Sequence, residues 1–155
     1  MKILYICTHN RCRSILSEAI TNHLSEGELT AFSAGSAPSG EVHPLTLKYL
    51  QERHISTQGL RSQSWNDFEA IQPDIVITVC DTAANEACPV WFGHTIQLHW
   101  GLPDPSKLQD TEENVKAAFF SVMDEITRRV NTLRSLNLAM MPESERRSAL
   151  KTLID

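Results

Sequence analysis

Four cysteines in 155 residues are too few for the dense disulfide framework of a small secreted domain. No apolar run approaches the roughly 18 residues that a membrane span needs. The opening Met1-Lys2-Ile3-Leu4-Tyr5-Ile6-Cys7 reaches polar residues too early for the apolar segment of a signal peptide. Positive charge is short as well, since 14 Lys and Arg against 19 Asp and Glu leave a formal net charge of −5. Neither nucleic acid nor a membrane is therefore expected as a partner, and any anion must be held locally. No repeat or linker divides the chain. With 41% hydrophobic and 21% charged residues, the expectation is a cytoplasmic protein with reduced thiols and one domain over residues 1–155.

The run Lys2-Ile3-Leu4-Tyr5-Ile6-Cys7 predicts a buried strand that stops at the polar stretch Thr8 to Arg13. From Ser14, residues Leu16, Ala19, Ile20, His23 and Leu24 recur at helical spacing. A second strand is expected over Leu29 to Gly35, and Pro44 opens a second helix with Leu45, Leu47 and Leu50. Asp74 to Cys80 is a β-branched run of the kind found in a sheet covered on both faces, and Thr95 to Trp100 predicts a fourth strand. A long helix is expected from near Asp110, where Asp110 and Glu113 have capping-box spacing. Its apolar stripe is Val115, Phe119, Val122, Ile126, Val130 and Leu133. After Pro142 a short helical extension over 142–154 would turn Leu150, Leu153 and Ile154 inward. Strands alternating with helices imply an α/β fold, a doubly wound parallel sheet of four strands flanked by helices. Its ligand site would lie at the carboxyl ends of the strands, where Cys7, Cys80 and Trp100 fall.

The segment Cys7-Thr8-His9-Asn10-Arg11-Cys12-Arg13-Ser14 places a thiol at a strand end and an Arg at a helix start. A loop entering a helix offers unpaired backbone N–H groups and the positive end of the helix dipole, which together bind anions. Arg13 adds a planar fork suited to two oxygens of a tetrahedral oxyanion. The same field favours the thiolate form of Cys7. Ser14 can donate its hydroxyl to that thiolate, and Asn10 is a residue type that tolerates a left-handed turn. The plainer alternative is a buried strand-end cysteine beside a solvated Arg. Cys12 reads as a small residue packed at the helix start. His99 and Trp100 read as packing and loop-shaping residues, and the histidines at 23, 43, 54 and 94 carry no signal. The chain has no Cys-x2-Cys pair, and a zinc site is not expected.

Cys-x5-Arg-Ser near the amino terminus, Ser33-Ala34-Gly35 and Asp104-Pro105 resemble the low-molecular-weight tyrosine phosphatase fold. Within it, Val76-Ile77-Thr78-Val79-Cys80 with Cys88-Pro89, and the run His99-Trp100-Gly101-Leu102-Pro103-Asp104-Pro105, resemble the phosphatase-like arsenate reductases. The likeness runs from Lys2 to about Arg129. It implies Cys7 as nucleophile, Arg13 as oxyanion ligand, Asp104 as general acid, and Cys80 and Cys88 as resolving thiols. It also implies arsenate as substrate, with phosphate and sulfate as analogues, and thioredoxin or glutaredoxin/glutathione as reductant. Three features depart from that pattern. His9 stands where the family loop has Gly, and the stretch from Asp81 to Ala87 is one residue longer than in thioredoxin-linked members. Some members hold potassium through Asn, Glu, Ser and Asp; Asn10, Glu18 and Ser33 match, but the Asp position falls on Ser64. No metal and no cofactor is expected.

Arsenate reduction needs more than a nucleophile and an acid, because a second thiolate must attack the Cys7 sulfur and send two electrons to arsenic. Cys80 is placed for this if its strand neighbours the first. Cys88 would then attack Cys80 and carry the disulfide outward. A helical segment would hold Cys80 and Cys88 roughly 12 Å apart, beyond disulfide reach, so the segment would have to refold in turnover. The competing functions are a protein-tyrosine phosphatase and a non-catalytic oxyanion-binding module. Against the phosphatase, Tyr5 and Tyr49 are the only tyrosines, and neither neighbours Asp104 in sequence.

Overall fold

The computed structural model describes residues 1–25, 27–80 and 95–151. Four parallel strands form the sheet: β1 (Lys2–Ile6), β2 (Thr30–Ala34), β3 (Ile75–Thr78) and β4 (Ile96–His99), in the order β2-β1-β3-β4. Each falls inside the run predicted for it. Around the sheet pack α1 (Arg13–Leu24), α2 (Pro44–Glu52) and α3 (Glu112–Ser135), and α4 (Glu143–Lys151) follows Pro142. Parallel strands covered on both faces need continuous apolar runs, and Ile3 to Ile6 and Ile75 to Ile77 are all buried.

Helix ends differ from expectation in two places. The long helix is capped by Thr111, which accepts from Asn114 N–H, one residue beyond the expected Asp110 cap; Asp110 instead accepts from Thr111 N–H and from the Asn114 amide. His23 is exposed, because in α1 the buried face runs through Ser14, Ile15, Leu16, Ser17, Ala19, Ile20 and Thr21. Small hydroxyl residues there let the helix lie close to the sheet, with Thr21 Oγ1 2.7 Å from the Tyr5 hydroxyl. The stripe of α3 is buried from Phe119 to Leu133, and Leu150 of α4 is fully buried. Leu153 and Ile154 lie outside the described residues. No described helix is long and apolar enough to cross a membrane.

The strand order fixes where a ligand can sit. From β1 the chain crosses to β2 on one side and later returns to β3 on the other, so a crevice opens beyond the carboxyl ends of β1 and β3. Register pairs Ile6 with Thr78, and Val79 N–H bonds to the Ile6 carbonyl at 2.8 Å. Cys7 and Cys80 therefore emerge side by side from neighbouring strands.

Candidate active site

The loop from Cys7 to α1 is held from outside by its carbonyls. Thr8 O accepts from Ala37 N–H at 2.9 Å, His9 O from Ser39 N–H at 3.0 Å, and Arg11 O from His43 N–H at 2.9 Å. In a trans peptide the N–H points opposite to the carbonyl, so the N–H groups of His9, Asn10 and Cys12 are turned to the other side of the loop. With the first turn of α1, whose N–H groups have no intrahelical acceptor, they line a concavity of the kind suited to anions.

Asn10 is the loop's left-handed residue, with φ 47°. It is fully buried and ties three segments together. Its Oδ1 accepts from Gln63 N–H at 2.8 Å, which aims its Nδ2 at Ser14 Oγ, also 2.8 Å away. Ser14 Oγ thus accepts from Asn10 and has its own hydrogen for Cys7 Sγ at 2.9 Å. Because that hydrogen bond fixes the position of the sulfur, Ser14→Ala is expected to slow alkylation of Cys7 by iodoacetamide at pH 7 by about tenfold, read by peptide mass mapping.

Gly35 explains the closeness of this packing. A Cβ there would stand 2.5 Å from the Thr8 carbonyl oxygen and 2.9 Å from that of Cys7. Gly35 also donates to Gln63 O and accepts from Trp65 N–H, as one half of a parallel bridge with Ser64. Gly35→Ala is expected to cost about 1–3 kcal/mol, measurable as a fall in midpoint on urea unfolding.

A cavity of about 100 Å³ is lined by Cys7, Cys12, Arg13, Cys80 and Asp104, and by Thr8, His9 and Arg11 of the loop. Arg13 donates from Nη1 to Leu102 O at 3.1 Å and holds Nη2 3.5 Å from Asp104 Oδ2. The stretch bearing Asp104 is brought to the strand ends by Trp100 N–H on Thr78 O and Leu102 N–H on Val79 O. Asp104 is extended, as a residue before proline should be, but its carboxyl does not stand apart from local helix. It caps the short turn Pro105–Lys107, accepting from Ser106 N–H and from the Ser106 hydroxyl. Ser106 and Lys107 line the cavity too, and the sequence reading missed both. Asp-x-Ser ahead of a turn is a capping pattern that could have shown Ser106.

Cys80 Sγ lies 3.7 Å from Thr8 Oγ1, on the cavity wall. Cys88 lies outside the described residues, as does the stretch from Asp81 to Ala87. Burial pushes the Cys12 thiol up to about 12, so it stays protonated near neutral pH, in keeping with a packed residue. His9 needs no glycine conformation, since its φ is not positive; its Nδ1 donates to Ala37 O at 3.2 Å. Trp100 packs its ring 5.6 Å from Tyr5, and His99 Nδ1 lies 2.8 Å from Thr78 Oγ1. His43, passed over in the sequence, caps α2 by accepting from Leu45 N–H.

Asn10, Glu18, Ser33 and Ser64, compared above with a potassium set, are each hydrogen-bonded within the protein. The Ser33 hydroxyl donates to Glu18 Oε1, Ser64 Oγ accepts from Asn66 N–H, and Asn10 Oδ1 is on Gln63. Glu18 is the sole carboxylate among the four, and burial pushes it up to about 7. Among the described residues no three His, Cys, Asp or Glu side chains gather where they could hold a metal.

A thiol at a strand end, a loop tethered through its carbonyls and an Arg at the helix start meet at the carboxyl ends of a parallel α/β sheet. The chain belongs to the low molecular weight phosphotyrosine protein phosphatase family, whose model matches residues 2–143. It is 33% identical over 130 residues to an arsenate reductase of Halalkalibacterium halodurans, covering 84% of this chain and 92% of that one. It is 32% identical over 104 residues to a glutaredoxin arsenate reductase of Synechocystis, covering 67% and 78%. A solved arsenate reductase in its phosphate binding state superposes with a TM-score of 0.72 at 28% identity, covering 85% of this chain and 95% of that one.

Proposed function

We propose that the chain is a cytoplasmic arsenate reductase of one domain over residues 1–155, serving arsenic detoxification. The observation that carries this reading is a second thiol: Cys80 lines the same cavity as Cys7, Arg13 and Asp104. A phosphatase needs one thiolate, since no electrons move when a phosphocysteine is hydrolysed. Tyr5 and Tyr49 are both buried, and no Phe, Tyr or Trp is among the described residues lining the cavity.

In the proposed reaction arsenate enters the concavity, with two oxygens on the Arg13 fork. The Cys7 thiolate attacks arsenic, and Asp104 protonates the oxygen that leaves as water. The Cys80 thiolate then attacks the Cys7 sulfur. The electron pair of the S–As bond stays with arsenic, which falls from As(V) to As(III) and departs as arsenite, and a Cys7–Cys80 disulfide forms. Cys88 attacks the Cys80 sulfur, freeing Cys7, and a thioredoxin or glutaredoxin/glutathione donor returns two electrons to the Cys80–Cys88 disulfide.

One turnover tests this. Fully reduced protein exposed to arsenate without reductant should lose two thiols and yield a Cys80–Cys88 bridge by peptide mapping. No thiol loss, together with turnover of an aryl phosphate by the same sample, would make the chain a phosphatase.

A further inference from the structure

Two cations line the Cys7 cavity that the reaction written above does not use. Cys7, Cys12 and Cys80 are buried in it, whereas Arg11 and Lys107 reach it from exposed positions. The backbone fixes where both side chains start. Arg11 O accepts from His43 N–H at 2.9 Å and from the Thr46 hydroxyl at 3.3 Å, and Lys107 N–H donates to Asp104 O at 3.4 Å in the turn that Asp104 caps. Elsewhere Lys48, Arg53, Lys116, Arg128 and Arg129 each meet a carboxylate. Arg11 and Lys107 form no ion pair among the described residues. In a chain of net charge −5, one small cavity thus carries two uncompensated cations beside Arg13.

A doubly charged oxyanion facing the Cys7 thiolate brings three negative charges together. Against them Arg13 sets one positive charge, and its Nη1 is already on Leu102 O with Nη2 3.5 Å from Asp104 Oδ2. The start of α1 adds roughly half a charge. We propose that Lys107 and Arg11 are substrate-binding residues that make the site selective for small tetrahedral dianions. The inner oxygens lie on the loop N–H groups and Arg13, and the outer ones meet the Lys107 ammonium from the turn and the Arg11 guanidinium from the loop, both on long stems. Coulomb attraction scales with the charge of the ligand, so these two cations favour a dianion over a monoanion of similar shape. The inference rests on the Cys7 loop being an oxyanion site and is independent of whether arsenic is then reduced.

Sulfate and methanesulfonate, titrated into the reduced full-length protein at constant ionic strength and followed by backbone amide NMR, are the test. They share a tetrahedral centre, and a methyl group in the second replaces one oxygen and one charge. Sulfate should shift residues 7–14 saturably and bind at least about tenfold more tightly than methanesulfonate. Lys107→Gln and Arg11→Gln should each weaken sulfate about threefold and together about tenfold, while the double variant weakens methanesulfonate only about threefold, half the loss on a logarithmic scale. Lys107→Arg and Arg11→Lys keep the charge and should restore sulfate binding to within about twofold of the parent. The comparison of the two anions on the parent protein needs no variant, so a variant that fails to fold does not shield the proposal. Equal binding of the two anions by the parent, sulfate binding by the double Gln variant within about twofold of the parent, or equal losses for both anions would overturn it. Sulfate binding lost as expected in a protein that reduces no arsenate would uphold these residues while removing the reductase reading.

Discussion

Cys7→Ser protein is expected to form no arsenite above background while still binding phosphate. A serine hydroxyl is a poor nucleophile near neutral pH unless a general base takes its proton. Nothing in the loop does so, for Ser14 is itself polarised by Asn10 and donates toward position 7. The anion concavity is built from backbone N–H groups and Arg13, so it survives the exchange of sulfur for oxygen. Phosphate should therefore still raise the melting temperature of the variant, which separates loss of chemistry from loss of fold. Measurable arsenite in a coupled assay would take Cys7 out of the mechanism.

Asp104→Asn is expected to lower kcat for arsenate reduction by about 10²–10⁴-fold, the range for removal of a positioned acid. The substitution is a sharp one because asparagine keeps a carbonyl oxygen for Ser106 N–H and so preserves the cap on the turn Pro105–Lys107. The melting temperature should then stay near that of the parent while turnover falls. The variant also removes the negative partner 3.5 Å from Arg13 Nη2, which frees the guanidinium for oxyanion. Tighter phosphate binding with slower turnover is the combined result expected of an acid, and a loss below a few-fold would contradict that role.

The two central strands were legible because parallel strands buried on both faces must be apolar, and Ile3 to Ile6 and Ile75 to Ile77 meet that demand over short lengths. The nucleophile loop was legible because thiol, Arg and helix start are contiguous in the chain. What supports that loop was not. Gln63, Ala37 and Ser39 hold it through backbone groups, and backbone partners leave no side-chain signature. The cap of α3 slid from Asp110 to Thr111 because adjacent Asp and Thr are both good caps and sequence does not rank them. The turn from Trp65 to Ile71 went unpredicted since its apolar residues pack with too little periodicity to read.

The outward tethering of the Cys7–Ser14 carbonyls has a consequence for how the protein loses activity. Active-site loops commonly belong to the least protected part of a fold and open on their own. This one is tied to residues 37, 39, 43 and 63 and, through Cys7 N–H on Ala34 O, to β2, so it shares a cooperative unit with the sheet. Oxyanion affinity and global structure should therefore vanish at one denaturant concentration, and the amides of this loop should exchange with solvent about as slowly as those of β1.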